Sequence, residues 1–276
     1  MEKTLLGLCL FLLGLCLGSF INAAVWRLRH NKDILLDRSE CTKCHYKLGV
    51  FDLIPVVSWF VLRGKCRKCK ASISPQYPLV ELSTGALFIL SLAFWPLGFD
   101  TTIHILQFGI WLLASVTLTF LFVYDLKWLI LPDKVVFILF FFGLLMTILY
   151  GLSIESFNLF FQNIVFSLLI LSGFYLLLFI YSKGKWIGFG DVKLGVGLAL
   201  LLCNWQFALI ALFLANLIGT IIFVPLLIAK KVTRNSQIPF GPFLIIGTII
   251  AFLFGNVLLE WYNSIIFSGI TPHDMY

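Results

Sequence analysis

Long runs of apolar residues recur along almost the whole chain, and they limit what it can fold into. Several of them approach or exceed the roughly 20 residues that an α-helix needs to cross a bilayer. Of the 276 residues, 61% are hydrophobic and only 12% are charged, whereas soluble domains have about 45–50% and about 25%. One water-soluble core cannot bury so much apolar surface, so we predict that the chain lies in a membrane.

Eight of these runs are candidate transmembrane helices. Helices are predicted because lipid offers no partner to unpaired backbone groups, and because the runs lack the alternation of barrel strands. The first run has only Lys3 as a base before it and no clear cleavage site after it, so it is predicted to be a retained span and not a signal peptide. In chain order the runs are residues 5–26, 79–95, 103–124, 135–150, 159–181, 192–203, 207–229 and 243–261.

The basic residues predict the orientation, since cytoplasmic loops carry an excess of Lys and Arg. Residues 27–78 hold eleven of the twenty Lys and Arg. With this segment in the cytoplasm and eight spans, nineteen are cytoplasmic, including Lys230, Lys231 and Arg234 of the last turn. The net charge of +7 therefore indicates membrane topology, and no nucleic-acid partner is predicted. We predict a first transmembrane helix (residues 1–26), a cytoplasmic insert (27–78) and a membrane core (79–276).

The insert carries two pairs of cysteines at the spacing of metal-binding turns. Cys41 and Cys44 form one pair, and Cys66 and Cys69 form the other. Four thiolates on two such turns suit tetrahedral zinc, and a cytoplasmic location argues against structural disulfides. Because four protein ligands leave no open position for chemistry, a structural zinc site is predicted. Unmetallated thiols and a redox pair are the alternatives.

Two aspartates lie where apolar runs meet the predicted cytoplasmic boundary. Asp125 ends the third run, and Asp191 precedes the sixth within the sequence Gly188-Phe-Gly190-Asp191. Ionisable residues at such positions are functional candidates. If the two carboxyls meet, they cannot both ionise cheaply, so the ionised one can activate water while the protonated one polarises a peptide carbonyl. This chemistry requires no metal ion.

Nearby residues are predicted to support this pair. Gly188 and Gly190 would let the backbone come close to a substrate strand. Asp133 follows a proline at a predicted helix start, where an acid complements the helix dipole. Lys193 lies two residues after Asp191 and is a possible charge partner.

Simpler interpretations of the same residues exist. Asp191 could cap the sixth helix, and Asp125 could pair with Lys127 or Lys193. A proton-coupled transporter using both aspartates as a relay predicts polar groups deep in several spans, whereas the acids here cluster at one face. A zinc-bearing scaffold without catalysis predicts that the aspartates can be replaced freely.

Further short motifs accompany these residues along the chain. In order they are Gly18-Ser19-Phe20-Ile21-Asn22, Arg27-Leu28, the two cysteine pairs, Asp52-Leu53-Ile54-Pro55, Ser58-Trp59, Leu62-Arg63-Gly64-Lys65-Cys66, Ile73-Ser74-Pro75-Gln76-Tyr77-Pro78, Glu81, Asp125, Leu131-Pro132-Asp133, Gly188-Phe189-Gly190-Asp191-Val192-Lys193-Leu194 and Pro239-Phe240-Gly241-Pro242-Phe243. This series resembles the type IV leader peptidase family, or prepilin peptidases, across nearly the whole chain. Thr42, where the family often has Pro, and Leu131, where it often has Ile, depart from the pattern without affecting a proposed ligand or carboxylate.

The resemblance implies a multi-pass aspartic endopeptidase of the bacterial inner membrane, with Asp125 and Asp191 as catalytic residues. Its expected substrates are type IV prepilins and type II secretion pseudopilins, which are cut on the cytoplasmic side. Many members also methylate the new N-terminal amine with S-adenosylmethionine, and the cysteine-bearing insert goes with that bifunctional class. A peptidase without methyltransferase activity is the alternative. No glycine-rich fingerprint for the methyl donor is present, so no donor-binding residues are predicted.

Glu81 resembles a family position, or it pairs with a nearby base.

Overall fold

The computed structural model describes residues 2–230 and 240–267. The regular elements in this part of the chain are helices, apart from two isolated β-bridges, in agreement with the predicted all-helical class. Lys231 and Arg234 of the last basic turn, and Pro239 of the last motif, lie outside the described residues. The chain divides into two compact units, Met1–Ala93 with Leu112–Trp128, and Phe94–Trp111 with Leu129–Tyr276.

The first unit is built on two closely packed helices. Its helices are α1 (Glu2–Arg29), α2 (Val57–Val61), α3 (Gln76–Ala93) and the second half of α4 (Thr102–Trp128). A Cβ added at Gly14 of α1 would lie 2.7 Å from the Cα of Gly85 in α3, and one at Gly18 would lie 2.7 Å from the Cα of Glu81. Small residues at such a crossing let the backbones of two membrane helices approach closely.

The second unit contains the remaining helices. They are the first half of α4, α5 (Asp133–Ser153), α6 (Phe157–Leu168), α7 (Phe174–Ser182), α8 (Phe189–Leu202), α9 (Trp205–Ile228) and α10 (Gly241–Phe267). A π-helical turn, Leu169–Gly173, joins α6 to α7. A Cβ at Gly195 of α8 would collide with the Leu171 carbonyl oxygen, and Ser172 Oγ donates to the Val192 carbonyl oxygen at 3.1 Å. The wide turn therefore packs directly against the beginning of α8.

The helices of both units coincide with all eight apolar runs. In the described chain six helical segments are long and apolar enough to cross a membrane, which indicates a multi-pass membrane protein. The other two apolar runs form α3 and α8, and α8 has only 14 residues. The total of eight transmembrane spans therefore stays a prediction. Large apolar side chains point outward, as lipid-facing helices require: Phe137 of α5 is 72% exposed and Phe213 of α9 is 64% exposed.

Candidate functional site

Asp125 lies near the end of α4, in the first unit. It is buried, with 5% of its surface exposed, and Leu121 one turn earlier is fully buried. The adjacent Tyr124 ring packs against Trp128, with ring centres 4.5 Å apart. The packing of this helix end therefore holds a carboxyl away from bulk water, at the end of a candidate membrane span.

Asp191 lies in the first turn of α8, in the second unit. The helix begins after Gly188, whose backbone is extended, and the Asp191 N–H donates to the Gly188 carbonyl oxygen at 3.1 Å. Gly188 is exposed, and Asp191 is half-buried. A Cβ at Gly190 would lie 3.4 Å from the Leu131 side chain. The two glycines flank Phe189, which is 48% exposed, and the close approach of a substrate strand to their backbone stays a prediction.

Asp133 and Lys193 form an ion pair within the second unit. The Lys193 Nζ donates to Asp133 Oδ1 at 2.8 Å. Asp133 is the first residue of α5, and Lys193 lies in α8 two residues after Asp191. The pair therefore links the beginnings of these two helices. It also gives Lys193 a partner other than Asp125.

Tyr175 of α7 is a site candidate that the sequence did not indicate. It is 1% exposed, and within the described chain its hydroxyl has no hydrogen-bond partner. The Tyr175 side chain has an electrostatic interaction with Asp191. In the sequence Tyr175 is one aromatic residue among many in an apolar run, and only the packing distinguishes it.

The cysteine pairs of the insert lie on two similar turns. In the first, the Cys41 N–H donates to the Tyr46 carbonyl oxygen at 2.9 Å, and in the second the Cys66 N–H donates to that of Ala71 at 2.8 Å. An isolated β-bridge closes each turn, and the residue after each second cysteine has a left-handed backbone. The two turns therefore present their cysteines in the same way.

The sulfur atoms of these turns converge on one point. All four lie within 4.8 Å of one another, with 3.9 Å between Cys41 and Cys69 and 4.0 Å between Cys44 and Cys66. A tetrahedral ion with metal–sulfur bonds of about 2.3 Å holds its sulfurs about 3.8 Å apart. The four cysteines therefore fit a single metal ion.

The backbone of the first turn favours a metal-binding thiolate. The N–H groups of Cys44 and Lys43 donate to the Cys41 sulfur and lower the pKa of this thiol to about 6. A metal ligand must be the thiolate, so this shift favours Cys41 as a ligand, whereas burial and the neighbouring sulfurs raise the pKa of Cys44 to about 11.

Glu81 of α3 connects the insert to the membrane helices. It is 6% exposed, and its Oε2 accepts the Val56 N–H at 2.6 Å, while its carboxylate also accepts from the Ser19 hydroxyl of α1. Val56 has a φ of 62° within a γ-turn that is closed by the Val57 N–H and the Pro55 carbonyl oxygen at 2.6 Å. This backbone is strained for a β-branched residue, so the bond to Glu81 stabilises it. The partners of Glu81 thus include a backbone N–H and a hydroxyl, whereas a pairing with a nearby base was one of the two interpretations of the sequence.

These features define a class: a helical, multi-pass membrane protein with carboxylates at the ends of two helices and a four-cysteine cluster. Comparison with protein-family models narrows this class to a family. Residues 12–95 match the bacterial peptidase A24 N-terminal domain, and residues 111–224 match the type IV leader peptidase family. Residues 96–110, which include the beginning of α4, lie between the two matches.

Relatives named prepilin leader peptidase/N-methyltransferase match over nearly their whole length. The protein of Aeromonas salmonicida (strain A449) is 31% identical over 283 residues, covering 93% of each chain. That of Stutzerimonas stutzeri is 32% identical and covers 92% of this chain and 93% of its own. That of Pseudomonas aeruginosa is 32% identical and covers 92% of each. No solved structure matches the chain significantly. The chain belongs to the type IV leader peptidase family, as its motifs predicted, and is therefore a peptidase.

Proposed function

We propose that this protein removes the leader peptide from type IV prepilins and then methylates the new N-terminal amine. The observation that carries the proposal is the identity of 31–32% over more than nine-tenths of the chain with proteins named for both activities. Pseudopilins of type II secretion are proposed as further substrates, because their precursors also join a short leader to a long apolar helix.

The proposed location is the bacterial inner membrane, with the insert, Asp125 and Asp191 on the cytoplasmic side. The distribution of Lys and Arg supports this orientation. In it, the apolar helix of a prepilin lies in the bilayer against the candidate spans. The junction between leader and helix then lies at the boundary where both aspartates are expected.

The proposed chemistry uses Asp125 and Asp191 as a dyad. Two carboxyls at close range share one proton, because two negative charges repel each other. The ionised carboxylate takes a proton from a water molecule, which attacks the peptide carbonyl, and the protonated one polarises that carbonyl and later protonates the leaving amine. One pair of groups thus supplies both the acid and the base, so the cleavage step requires no metal. The convergence of Asp125 and Asp191, which belong to different units, is part of the proposal.

The proposed cofactors serve the second activity. The sulfur spacing of the cysteine cluster supports zinc, held by Cys41, Cys44, Cys66 and Cys69 in a structural role. S-adenosylmethionine is the proposed methyl donor, because the relatives' name includes N-methyltransferase.

Asn substitutions test the dyad, because Asn keeps the shape of Asp and removes its titration. In membranes containing the protein and a prepilin, Asp125→Asn and Asp191→Asn should each lower the cleavage rate by at least about 100-fold. Asp100→Asn is the matched control, since Asp100 is exposed in the segment between α3 and α4. Equal amounts of each variant in the membrane fraction exclude loss of insertion. Near-normal cleavage by either single variant would refute the dyad.

A further inference from the structure

The first unit contains a cavity of about 460 Å³ that the cleavage chemistry does not use. Its walls come from the end of α1, the beginning of α3, the end of α4 and the insert. The volume falls within the range of about 300–1,000 Å³ that is usual for small-molecule sites. Its lining includes four residues of the sequence motifs, Asp52, Trp59, Tyr77 and Glu81.

Two carboxylates of the lining are fixed before any ligand enters. Glu81 is held by the Val56 N–H and Ser19. The Asp52 side chain is 5% exposed and accepts from Arg67 Nε at 2.7 Å and from the Gly49 N–H at 3.1 Å. A carboxylate can accept about four hydrogen bonds, so both groups can still accept from hydroxyl or amino groups of a ligand.

The aromatic part of the lining is also held in place. The Trp59 indole donates to the Ile73 carbonyl oxygen at 3.2 Å. Its ring lies against Gly64, where an added Cβ would be 3.0 Å from the ring and where φ is +65°. Tyr77 also lines the cavity, as does Trp26, whose ring stacks on His30 and has Lys32 Nζ 4.8 Å from its centre. Such aromatic faces stack on flat rings and attract cations.

The mixture of groups indicates the chemical class of the ligand. Fixed carboxylates suit a ribose diol or an amino group, aromatic faces suit a purine and a cation, and the basic side chains of Arg38 and Lys43 in the lining suit a carboxylate. A molecule that combines a purine nucleoside, a sulfonium cation and an amino acid presents all of these groups. We propose that this cavity binds S-adenosylmethionine, an inference that rests on the proposed methyltransferase activity.

The position of the cavity suits transfer to a freshly cut chain. Lys127, which lines the cavity, lies on the same helix end as Asp125 and two residues after it. A new amine formed at Asp125 therefore arises close to the cavity. With the donor bound, the amine nitrogen forms a bond to the methyl carbon, the carbon–sulfur bond breaks, the sulfur keeps the electron pair and becomes a thioether, and the nitrogen releases a proton to solvent.

The cavity also relates the cysteine cluster to methylation. Cys41 and Cys66, one from each turn, belong to its lining. An ion that fixes the two turns therefore fixes one wall of the cavity. This gives the insert a specific role in holding the donor, separate from the aspartates.

Direct binding of the donor's product tests the proposal without relying on turnover. The purified full-length protein is titrated with S-adenosylhomocysteine in a calorimeter, and prepilin cleavage is measured on the same samples to show that each variant is folded. Glu81→Gln and Trp59→Ala should weaken binding at least tenfold while retaining cleavage, and Trp59→Phe should restore most of the binding. Glu155→Gln and Trp261→Ala are matched controls, since both residues are exposed and lie in the second unit.

The outcomes separate this proposal from the proposed function. Wild-type affinity for S-adenosylhomocysteine in both Glu81→Gln and Trp59→Ala would overturn the cavity assignment, even if the protein methylates prepilin. So would a wild-type protein that methylates prepilin but does not bind the probe. Equal competition by ATP would show a general nucleotide site and would also overturn it. Failure to cleave or methylate any prepilin would instead refute the proposed function.

Discussion

The free energy that the ion pair between Asp133 and Lys193 can contribute is small, which indicates a structural role and not a catalytic one. Their side chains are 62% and 39% exposed, and exposed pairs contribute only about 0.2–1 kcal/mol. One kcal/mol corresponds to roughly a fivefold change in an equilibrium. The pair can therefore align the beginnings of α5 and α8, but its loss cannot abolish a reaction.

We predict that Asp133→Asn lowers the rate of prepilin cleavage by less than about fivefold, because only this weak alignment is lost. The measurement is the initial cleavage rate in membranes beside Asp125→Asn and wild type. A Lys193→Met variant should give a similar small loss, and the double variant should be no worse than either single one. A loss at Asp133 as large as that at Asp125 would assign Asp133 to the chemistry.

Single residues were predictable where their chemistry is rare in an apolar chain. Asp125, Asp191 and the four cysteines stand out because carboxylates and paired thiols need a reason to occur there. The bond from Val56 to Glu81 was not predictable, since it joins groups 25 positions apart and depends on a strained turn. Tyr175 could not be predicted for a related reason, because the burial of its hydroxyl depends on neighbours from other helices.

At the scale of helices, the glycines between α1 and α3 give a second prediction. Gly18→Ala should lower the midpoint of thermal unfolding in detergent, because the new methyl would lie 2.7 Å from the Glu81 backbone. Overpacking costs about 1–3 kcal/mol, whereas the gain in helix propensity is about 1 kcal/mol at most. Gly109→Ala in α4 is the control, since nothing lies within 4 Å of its added Cβ, and it should be neutral or stabilising. Equal midpoints for the two variants would disprove tight packing at Gly18.

The cysteine turns give a third prediction, on metal content. The purified protein should hold about one zinc ion per chain, and Cys44→Ser should remove most of it by elemental analysis, because one of four ligands is lost. Cys9→Ser is the control, since Cys9 is exposed on α1. Protons compete with zinc for the four thiolates, so zinc should stay bound at pH 7.5 and be released as the pH falls into the acidic range. Unchanged zinc content in Cys44→Ser would contradict the site.

The helices could be predicted from the apolar runs, because lipid cannot hydrogen-bond the backbone and a helix satisfies these groups within one segment. Their interruptions were not: the π-helical turn Leu169–Gly173 has an apolar composition like its surroundings, and its wider backbone is paired with the close approach of Gly195. The shape of the insert was also hidden, because short polar turns carry no periodic signal. Only the cysteine spacing indicated where its two turns would meet.

At the scale of the whole molecule, the two least secure spans decide on which side the chemistry occurs. If α3 does not cross the membrane, every later helix reverses, and Asp125 and the insert lie on opposite sides. If α3 crosses but α8 does not, the ends of α9 and α10 reverse instead. The charge distribution argues for eight crossings, because that number keeps nineteen of the twenty Lys and Arg in the cytoplasm.

We predict that a membrane-impermeant thiol reagent labels Asp100→Cys and Gln206→Cys in intact spheroplasts. Leu36→Cys in the insert should be labelled only after the membrane is opened. All three positions are exposed, so access depends on the side of the membrane, and the unsubstituted chain gives the background from its own cysteines. Asp100 reports on α3, since it follows that helix directly. Once Asp100 is outside, Gln206 reports on α8 in the same way. Protection of Asp100→Cys in intact spheroplasts would separate Asp125 from the insert by the bilayer, and one face could then no longer hold both cleavage and methylation.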